Sequence, residues 1–168
     1  KAYNISLSAE VDTDDPEVTT FAGTGSSGFN NATGTSASFK SPEGITTDGT
    51  NLYVADTNNN RIRQIVISSG VVTTLAGSGN ATFADGTGTA ASFKKPSGIT
   101  IDGTNLYVAD TENHKIRQIV ISSRVVTTLA GSSNGFADHT TGTSAKFNKP
   151  KGITIVGTNL YVVDKDND

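Results

Sequence analysis

Short apolar runs alternate with polar turns along most of the chain. In the middle of the sequence, "GITID" from Gly98 is a β-branched run, "DGTN" supplies a Gly/Asn turn, and "NLYVAD" from Asn105 is a second run. "KIRQIVI" from Lys115 and "VVTTLAG" from Val125 follow, each after another short polar segment. Alternating runs of this length, rich in Val, Ile, Thr and Tyr, indicate strands separated by tight turns. The pattern predicts an antiparallel meander of four strands.

This pattern recurs at a constant spacing. Pro42, Pro96 and Pro150 hold the same place in successive copies, so the period is 54 residues. Four strands per repeat at a period near 50 is typical of a β-propeller, in which blades stack around an axis because none can bury both of its faces alone. We therefore predict an all-β fold, a β-propeller of four-stranded antiparallel blades.

The segments between the blades have no regular period. "SGNATFADGTGTAASFKK" from Ser78 is rich in Gly and Ala and fits neither a helix nor an alternating strand. Phe39, Phe93 and Phe147 each stand three residues before a repeat proline. We predict ordered surface loops that these phenylalanines anchor to the blades.

The repeats resemble a known family. "GITTDGTNLYVADTNNNRIRQI" from Gly44 and "GITIDGTNLYVADTENHKIRQI" from Gly98 are similar to NHL repeats, with a Gly-apolar strand, an Asp-Gly turn, a Tyr-Val strand ending in Asp, and an Asn-x-Arg/Lys-Ile entry to the third strand. The third copy departs at Val156, where the others carry Asp48 and Asp102. The resemblance implies a six-bladed propeller.

The first and last segments fit partial blades. "VTTFAG" from Val18 matches the fourth strand of later copies, and "KAYNISL" from Lys1 aligns with the third strand "KIRQIVI". The predicted organisation is a half-blade at 1–23, blades at 42–77 and 96–131, and a half-blade at 150–168. The chain thus supplies three blades' worth of strands, which is half of a six-bladed ring.

Two such chains can complete each other. Three blades cannot close, and an open half-blade presents a sheet edge to another chain. Head-to-tail joining of two copies gives a closed two-fold ring. Two alternatives stay open: a fragment of a longer natural propeller, and a filament formed when the same joint does not close. The predicted interface comprises Lys1, Tyr3, Ile5, Leu7, Leu160, Val162, Asp164 and Asp168.

Composition and charge narrow the classes of function. The net charge is −3 with no basic run, which argues against nucleic acid as a partner. The chain has no cysteine, and no apolar run approaches the length of a membrane span. Near-identical blades rich in Thr, Ser, Gly and Asn are similar to bacterial secreted or surface NHL proteins, so the expected location is extracellular or at the cell surface.

No catalytic constellation is predicted. His114 and His139 lack partners for a metal site or a triad, and His114 takes a turn position. Some NHL-like propellers are lyases with metal-bound histidines along the axis, and the first strands here contain no His. No cofactor is expected, although calcium is an open alternative at the acidic clusters 12–15 and 164–168, which lack the Gly and Glu of an EF-type loop.

The aspartates that end the second strands, with an asparagine three residues later, are predicted to stabilise turns. These pairs are Asp56 and Asn59, Asp110 and Asn113, and Asp164 and Asn167.

The predicted function is a non-enzymatic, extracellular binding and assembly module. The alternatives are a propeller fragment with lyase-like or calcium-dependent activity and a filament-forming structural protein. A protein or glycan partner is expected on the face formed by the loops between second and third strands and between blades, because lysines gather in those loops. These lysines are Lys94, Lys95, Lys146, Lys149 and Lys151.

Overall fold

The computed structural model describes the backbone of residues 2–5 and all of residues 18–167. Within these residues the chain is built of antiparallel strands and single turns of 3-10 helix, so the predicted all-β fold is confirmed. The described residues include no helix long and apolar enough to cross a membrane. The strands are β1 (Ala2–Ile5), β2 (Val18–Ala22), β3 (Gly44–Thr47), β4 (Asn51–Asp56), β5 (Arg61–Val66), β6 (Val72–Ala76), β7 (Gly86–Thr87), β8 (Pro96–Ile101), β9 (Asn105–Asp110), β10 (Lys115–Val120), β11 (Val125–Ala130), β12 (Pro150–Val156) and β13 (Asn159–Asp164).

The strands form successive sheets in chain order. β3 to β6 make one antiparallel meander, β8 to β11 make a second, and β12 pairs with β13. The strands are short, and most are rich in β-branched residues. The turns between strands contain residues that tolerate positive φ, such as Gly49 and Gly103. The propeller meander predicted from the repeat is therefore present.

β1 and β2 form a separate two-stranded sheet. Tyr3 lies opposite Thr20, just as Arg117 lies opposite Thr128 in the second complete sheet. In both sheets the register shifts immediately before this pair, between Ala2 and Tyr3 and between Ile116 and Arg117. β1 and β2 thus have the register of a third and a fourth strand, as predicted. The predicted interface residues Lys1, Leu7 and Asp168 lie outside the described residues.

The loops between sheets are more structured than the sequence predicts. β7 lies inside the loop that precedes the second complete sheet and adds a fifth strand to it, with Gly86 opposite Val126 and Thr87 opposite Val125. The outer edge of β11 has free backbone groups, which this segment pairs. In the first complete sheet, Thr33 bridges to Val71 at the equivalent place.

The main core lies between the two complete sheets. Tyr53 and Ala55 of β4 are fully buried against the next sheet, in a cluster with Leu106, Val108 and Phe93. Phe39 is also buried and Phe147 is half-buried, so the predicted anchoring of the loops by Phe39 and Phe93 is confirmed. The sheets therefore stack face to face, as blades do.

The first strands of successive sheets approach most closely. A Cβ added to Gly44 would overlap the carbonyl oxygen of Ser97, and a Cβ added to Gly98 would overlap that of Lys151. Glycine is required at these two positions because a side chain would force neighbouring strands apart. β3, β8 and β12 consequently line the inner side of the stack.

Candidate binding face

Second strands end, and first strands begin, at the same end of each sheet, because neighbouring strands are antiparallel. An aspartate closes each second strand there. The Asp56 carboxylate accepts hydrogen bonds from the backbone N–H of Lys40 at 2.7 Å and from the Asn59 side chain at 2.8 Å. Asp110 and Asp164 accept the same pair of bonds in their own sheets. The predicted turn-stabilising role of these aspartates is confirmed.

A buried arginine completes this turn, and sequence reasoning missed it. Arg63 pairs with Asp56, and Arg117 with Asp110, each at 2.8 Å with both side chains fully buried. The Arg117 guanidinium lies 4.8 Å from the centroid of the Phe83 ring and 5.1 Å from that of Phe93. A buried charge needs such a partner. These residues therefore belong to the framework of each blade.

The residue after each of these turns ties one sheet to the next. Asn60 and His114 both adopt the left-handed conformation, with φ of 53° and 56°. The Asn60 Oδ1 accepts the backbone N–H of Lys95 at 2.9 Å, and the His114 Nδ1 accepts that of Lys149 at 3.2 Å. The turn role predicted for His114 is confirmed, and the side chain also links two blades.

The contact made by His114 predicts a pH-dependent stability. Its Nδ1 must be unprotonated to accept the Lys149 N–H, and burial lowers the pKa of His114 below 6.5. We expect the free energy of unfolding to fall as the pH drops below 6.5, with the loss complete below the lowered pKa of the folded state. Thermal melts between pH 5 and pH 8 measure it. The charged groups around the ring are Glu112, Lys149, Lys94 and Asp164.

The repeat supplies the matched variant for this prediction. His114→Asn introduces the residue that stands at position 60 and makes the same bond without titrating. This variant is expected to lose the acid-dependent part of the destabilisation. His139→Asn is expected to keep it, because the exposed His139 ring accepts only the N–H of Thr141, two residues away in the same loop. An unchanged pH profile in His114→Asn would contradict a role for this contact.

A polar cavity of about 210 Å³ opens at this end of the stack. Its floor consists of hydroxyl groups that bind carbonyls across the blades. The Thr57 Oγ1 donates to the Pro96 carbonyl at 2.7 Å, and the Thr111 Oγ1 donates to the Pro150 carbonyl at 2.9 Å. Ser97 is buried beside Thr111, with the two hydroxyl oxygens 2.6 Å apart. The floor is thus held by bonds that span three sheets.

Charged side chains form the wall of the cavity. Of the five lysines predicted for the ligand face, the structure brings Lys95, Lys149 and Lys151 together here, whereas Lys94 and Lys146 do not line the cavity. Sequence reasoning missed the other charged members. The signal for Lys165 was present, since it replaces the threonine of the other two repeats. The charged residues missed are Glu43, Glu112 and Lys165.

Most of these wall charges are paired but remain partly exposed. Lys151 lies 3.3 Å from Glu43, which belongs to a different sheet, and Lys149 lies 2.8 Å from Asp166. The hydrogen bond to Asp166 raises the pKa of Lys149. Solvent screens exposed pairs of this kind and they contribute little stability, so they can be exchanged for bonds to a ligand. Among the described residues, no carboxylate lies within 4.0 Å of the Lys95 ammonium.

The opposite end of the sheets carries a different aspartate. Burial alone would raise the pKa of Asp48, but hydrogen bonds from the Asn51 backbone, Tyr53 and Thr50 lower it to about 2. Asp102 forms the same turn in the second complete sheet. The third repeat has Val156 in place of this aspartate. The aspartates at this end of the sheets therefore stabilise turns, and the third repeat lacks that stabilisation.

Candidate metal ligands do not cluster in the part of the chain that the structure describes. Within residues 18–167, no group of three or more His, Cys, Asp or Glu side chains is arranged to hold an ion. The acidic cluster at 12–15 lies outside that part. In the other cluster, Asp164 accepts bonds from the Asn148 backbone N–H and from Asn167.

The predicted interface residues of β13 lie on one face of the strand. Leu160 and Val162 lie on the half-buried face, together with the residues opposite them in β12. Tyr161 and Val163 lie on the other face and are 57% and 63% exposed. The exposed face was not included in the predicted interface, although the alternation along the strand implies it.

Comparison with known proteins gives a family model and longer relatives. The model of the NHL repeat matches residues 39–65 and 93–119. NHL repeat-containing protein 2 of Gallus gallus is 39% identical over 92 residues, which cover 54% of this chain and 12% of that protein. Protein SUPPRESSOR OF QUENCHING 1, chloroplastic, of Arabidopsis thaliana is 32% identical over 123 residues, which cover 70% of this chain and 12% of that protein. The chain thus spans about an eighth of these relatives.

A solved structure has the same arrangement of strands. A protein of unknown function from Bacteroides thetaiotaomicron is 24% identical and superposes with a TM-score of 0.71, over 90% of this chain and 38% of that one. At this level of identity the likeness concerns the fold alone. It agrees with the stacked antiparallel sheets described above.

Proposed function

The chain belongs to the NHL-repeat family, and from this premise we propose that it is a non-enzymatic protein-binding module that also binds a second copy of itself by completing blades between chains. The observation that carries self-association is a difference in burial between equivalent positions. Tyr53 and Ala55 are fully buried by the next sheet, whereas their counterparts Tyr161 and Val163 are more than half exposed.

A complementary exposed surface lies on the first complete sheet. Ile99 is 7% exposed because it packs into the core shared with the preceding sheet, whereas its counterpart Ile45 is 53% exposed. Within the chain, the face that carries Tyr53 covers the face that carries Ile99. A second copy can repeat this contact with Tyr161 over Ile45. Each aliphatic or aromatic side chain buried in this way contributes roughly 1.5–3 kcal/mol.

The inner strands fit the same arrangement. Gly44 and Gly98 allow the next first strand to approach, and the third repeat keeps Gly152 at this place. A Cβ on Gly152 would meet the Val163 side chain at 3.3 Å, and no carbonyl oxygen of the described residues lies within 4 Å of it. Gly44 and Gly98 approach the carbonyl groups of Ser97 and Lys151, and Glu43 holds the same place in the first repeat. The repeat register would therefore bring the Glu43 carbonyl of a second copy to Gly152. The edge of β13 in one chain would then pair with the edge of β1 in the other, as a second strand pairs with a third strand within a blade. β13 contributes Leu160 and Val162 to this joint, and β1 contributes Tyr3 and Ile5.

The mass of the particle tests self-association. We expect light scattering during size-exclusion chromatography to report twice the chain's 17.3 kDa. Gly152→Ala is expected to give a folded monomer, because a small shift relieves the contact of the added Cβ with the Val163 side chain at 3.3 Å, whereas the backbone of an incoming strand cannot give way. Thr140→Ala, at an exposed loop position, is the control and should associate normally.

Other masses separate the alternatives. A well-folded monomer at every concentration would contradict self-association and favour a chain completed by further repeats of a longer protein. Very large particles would favour a filament built from the same joint.

We also propose that the protein is bacterial and works outside the cell or at its surface. The support is compositional: near-identical repeats rich in Thr, Ser, Gly and Asn. Antibody labelling of intact cells tests this location, and labelling only after permeabilisation would oppose it.

A further inference from the structure

Comparison of the repeats with one another separates framework positions from variable ones. Residues 41–77 and 95–131 are identical at the aspartate and arginine of the buried pair and at nearly all apolar positions. They differ at Ser41/Lys95, Glu43/Ser97, Thr47/Ile101, Asn58/Glu112, Asn60/His114, Arg61/Lys115 and Gly70/Arg124. The first two of these pairs and the fourth include residues that line the polar cavity, among them Lys95, Glu43 and Glu112.

The third repeat continues this trend. It replaces Ser97 by Lys151 and Thr111 by Lys165, and both lysines line the cavity. The other repeats carry Glu43 and Ser97 at the place of Lys151 and threonine at the place of Lys165, so the framework does not require lysine at either place. Charge has therefore been placed around this cavity in addition to what the fold requires.

We propose that this cavity binds a carboxylate group presented by an acidic side chain of a partner protein. The inference rests on the proposed function as a protein-binding module and names the chemistry that the module recognises. It is tested separately from self-association.

The charge balance favours an anion of single charge. Four lysines surround the cavity, against the carboxylates of Glu43, Glu112 and the adjacent Asp166. One positive charge is therefore in excess, and Lys95 is the ammonium that has no carboxylate of the described residues within 4.0 Å. A carboxylate neutralises that excess, whereas a multiply charged group such as phosphate would leave the site with a net negative charge. The chain's net charge of −3 also disfavours a polyanion such as nucleic acid.

The shape of the site suits one small group. A volume of about 210 Å³ accommodates an acidic side chain. The floor hydroxyls of Thr57 and Thr111 already donate to carbonyls, so the ligand's bonds come from the lysines of the wall. The paired lysines, Lys149 and Lys151, can turn from their weak exposed partners toward the incoming carboxylate.

Titration of the ¹⁵N-labelled chain with tetraglutamate peptide tests the proposal, with tetraglutamine as the uncharged control and inorganic phosphate as a second anion. We expect saturable chemical-shift changes around the cavity with tetraglutamate and none with tetraglutamine. Lys95→Ser and Lys151→Ser introduce the residues that the sister repeats carry at these places, Ser41 and Ser97. Each is expected to weaken binding about five-fold, which corresponds to about 1 kcal/mol.

The control variant also comes from the repeat. Lys146→Ser removes a lysine that does not line the cavity and introduces the residue found at Ser92. Its affinity is expected to equal that of the unchanged chain. An equal loss in this variant, or tighter binding of phosphate than of tetraglutamate, would overturn the proposal. Because self-association is measured from particle mass and this site from chemical shifts, failure of one is distinguishable from failure of the other.

Discussion

Asp110→Asn is expected to lower the free energy of unfolding by about 3 kcal/mol, because it leaves the fully buried Arg117 guanidinium without its main counter-charge. Arg117 keeps its bonds to the Ser92 and Ala84 carbonyls and to the half-exposed Asp85 carboxylate. Those bonds limit the loss to the lower end of the range for a broken buried pair. Urea denaturation followed by circular dichroism measures it.

The matched control removes the other carboxylate that contacts Arg117. Asp85→Asn introduces the residue present at position 31, where the Asn31 Oδ1 accepts a bond from Arg63 at 2.7 Å. Because the Asp85 side chain is 47% exposed, this change is expected to cost less than about 1 kcal/mol. Equal losses in the two variants would show that burial of the Asp110–Arg117 pair does not determine its contribution.

Gly98→Ala is expected to destabilise the packing of the third repeat by about 1–3 kcal/mol. The added Cβ would overlap the Lys151 carbonyl oxygen and approach the Ile153 side chain at 3.2 Å, so β12 must move away from β8. Hydrogen exchange measures the effect residue by residue. Amide protection is expected to fall in β12 and β13 and to remain in β3 to β6.

Gly152→Ala is the control for this substitution. In a dilute monomeric sample its Cβ meets the Val163 side chain at 3.3 Å, which a small shift relieves. Unchanged protection of β12 in Gly98→Ala would contradict the close approach of the first strands.

The strands could be predicted from the sequence because their pattern is local. Alternating β-branched residues such as those of "KIRQIVI" give a period of two, and the repeat confirms each strand independently. β7 could not be predicted in this way. Gly86 and Thr87 form a strand of only two residues in a segment with no alternating pattern, and they pair because β11 presents an otherwise free edge.

The candidate site was predicted in part. Lysines next to the repeat prolines indicated the correct end of the sheets, but only side-chain packing decides which of two adjacent lysines, Lys94 or Lys95, lines the cavity. Arg63 and Arg117 were missed because arginine in a strand is usually exposed. The same residue in two repeats, seven positions after an aspartate, was the signal available for the buried pair.

The strand inside the loop has a consequence for synthesis of the protein. β7 leaves the ribosome before β8, β9 and β10, yet its partner β11 is the last strand of that sheet to emerge. The hydrogen bonding of this sheet is therefore complete only when its final strand has been translated. If the ribosome stalls before β11 is made, the backbone N–H and C=O groups of β7 have no hydrogen-bond partner. Such a nascent chain is an early target for chaperones.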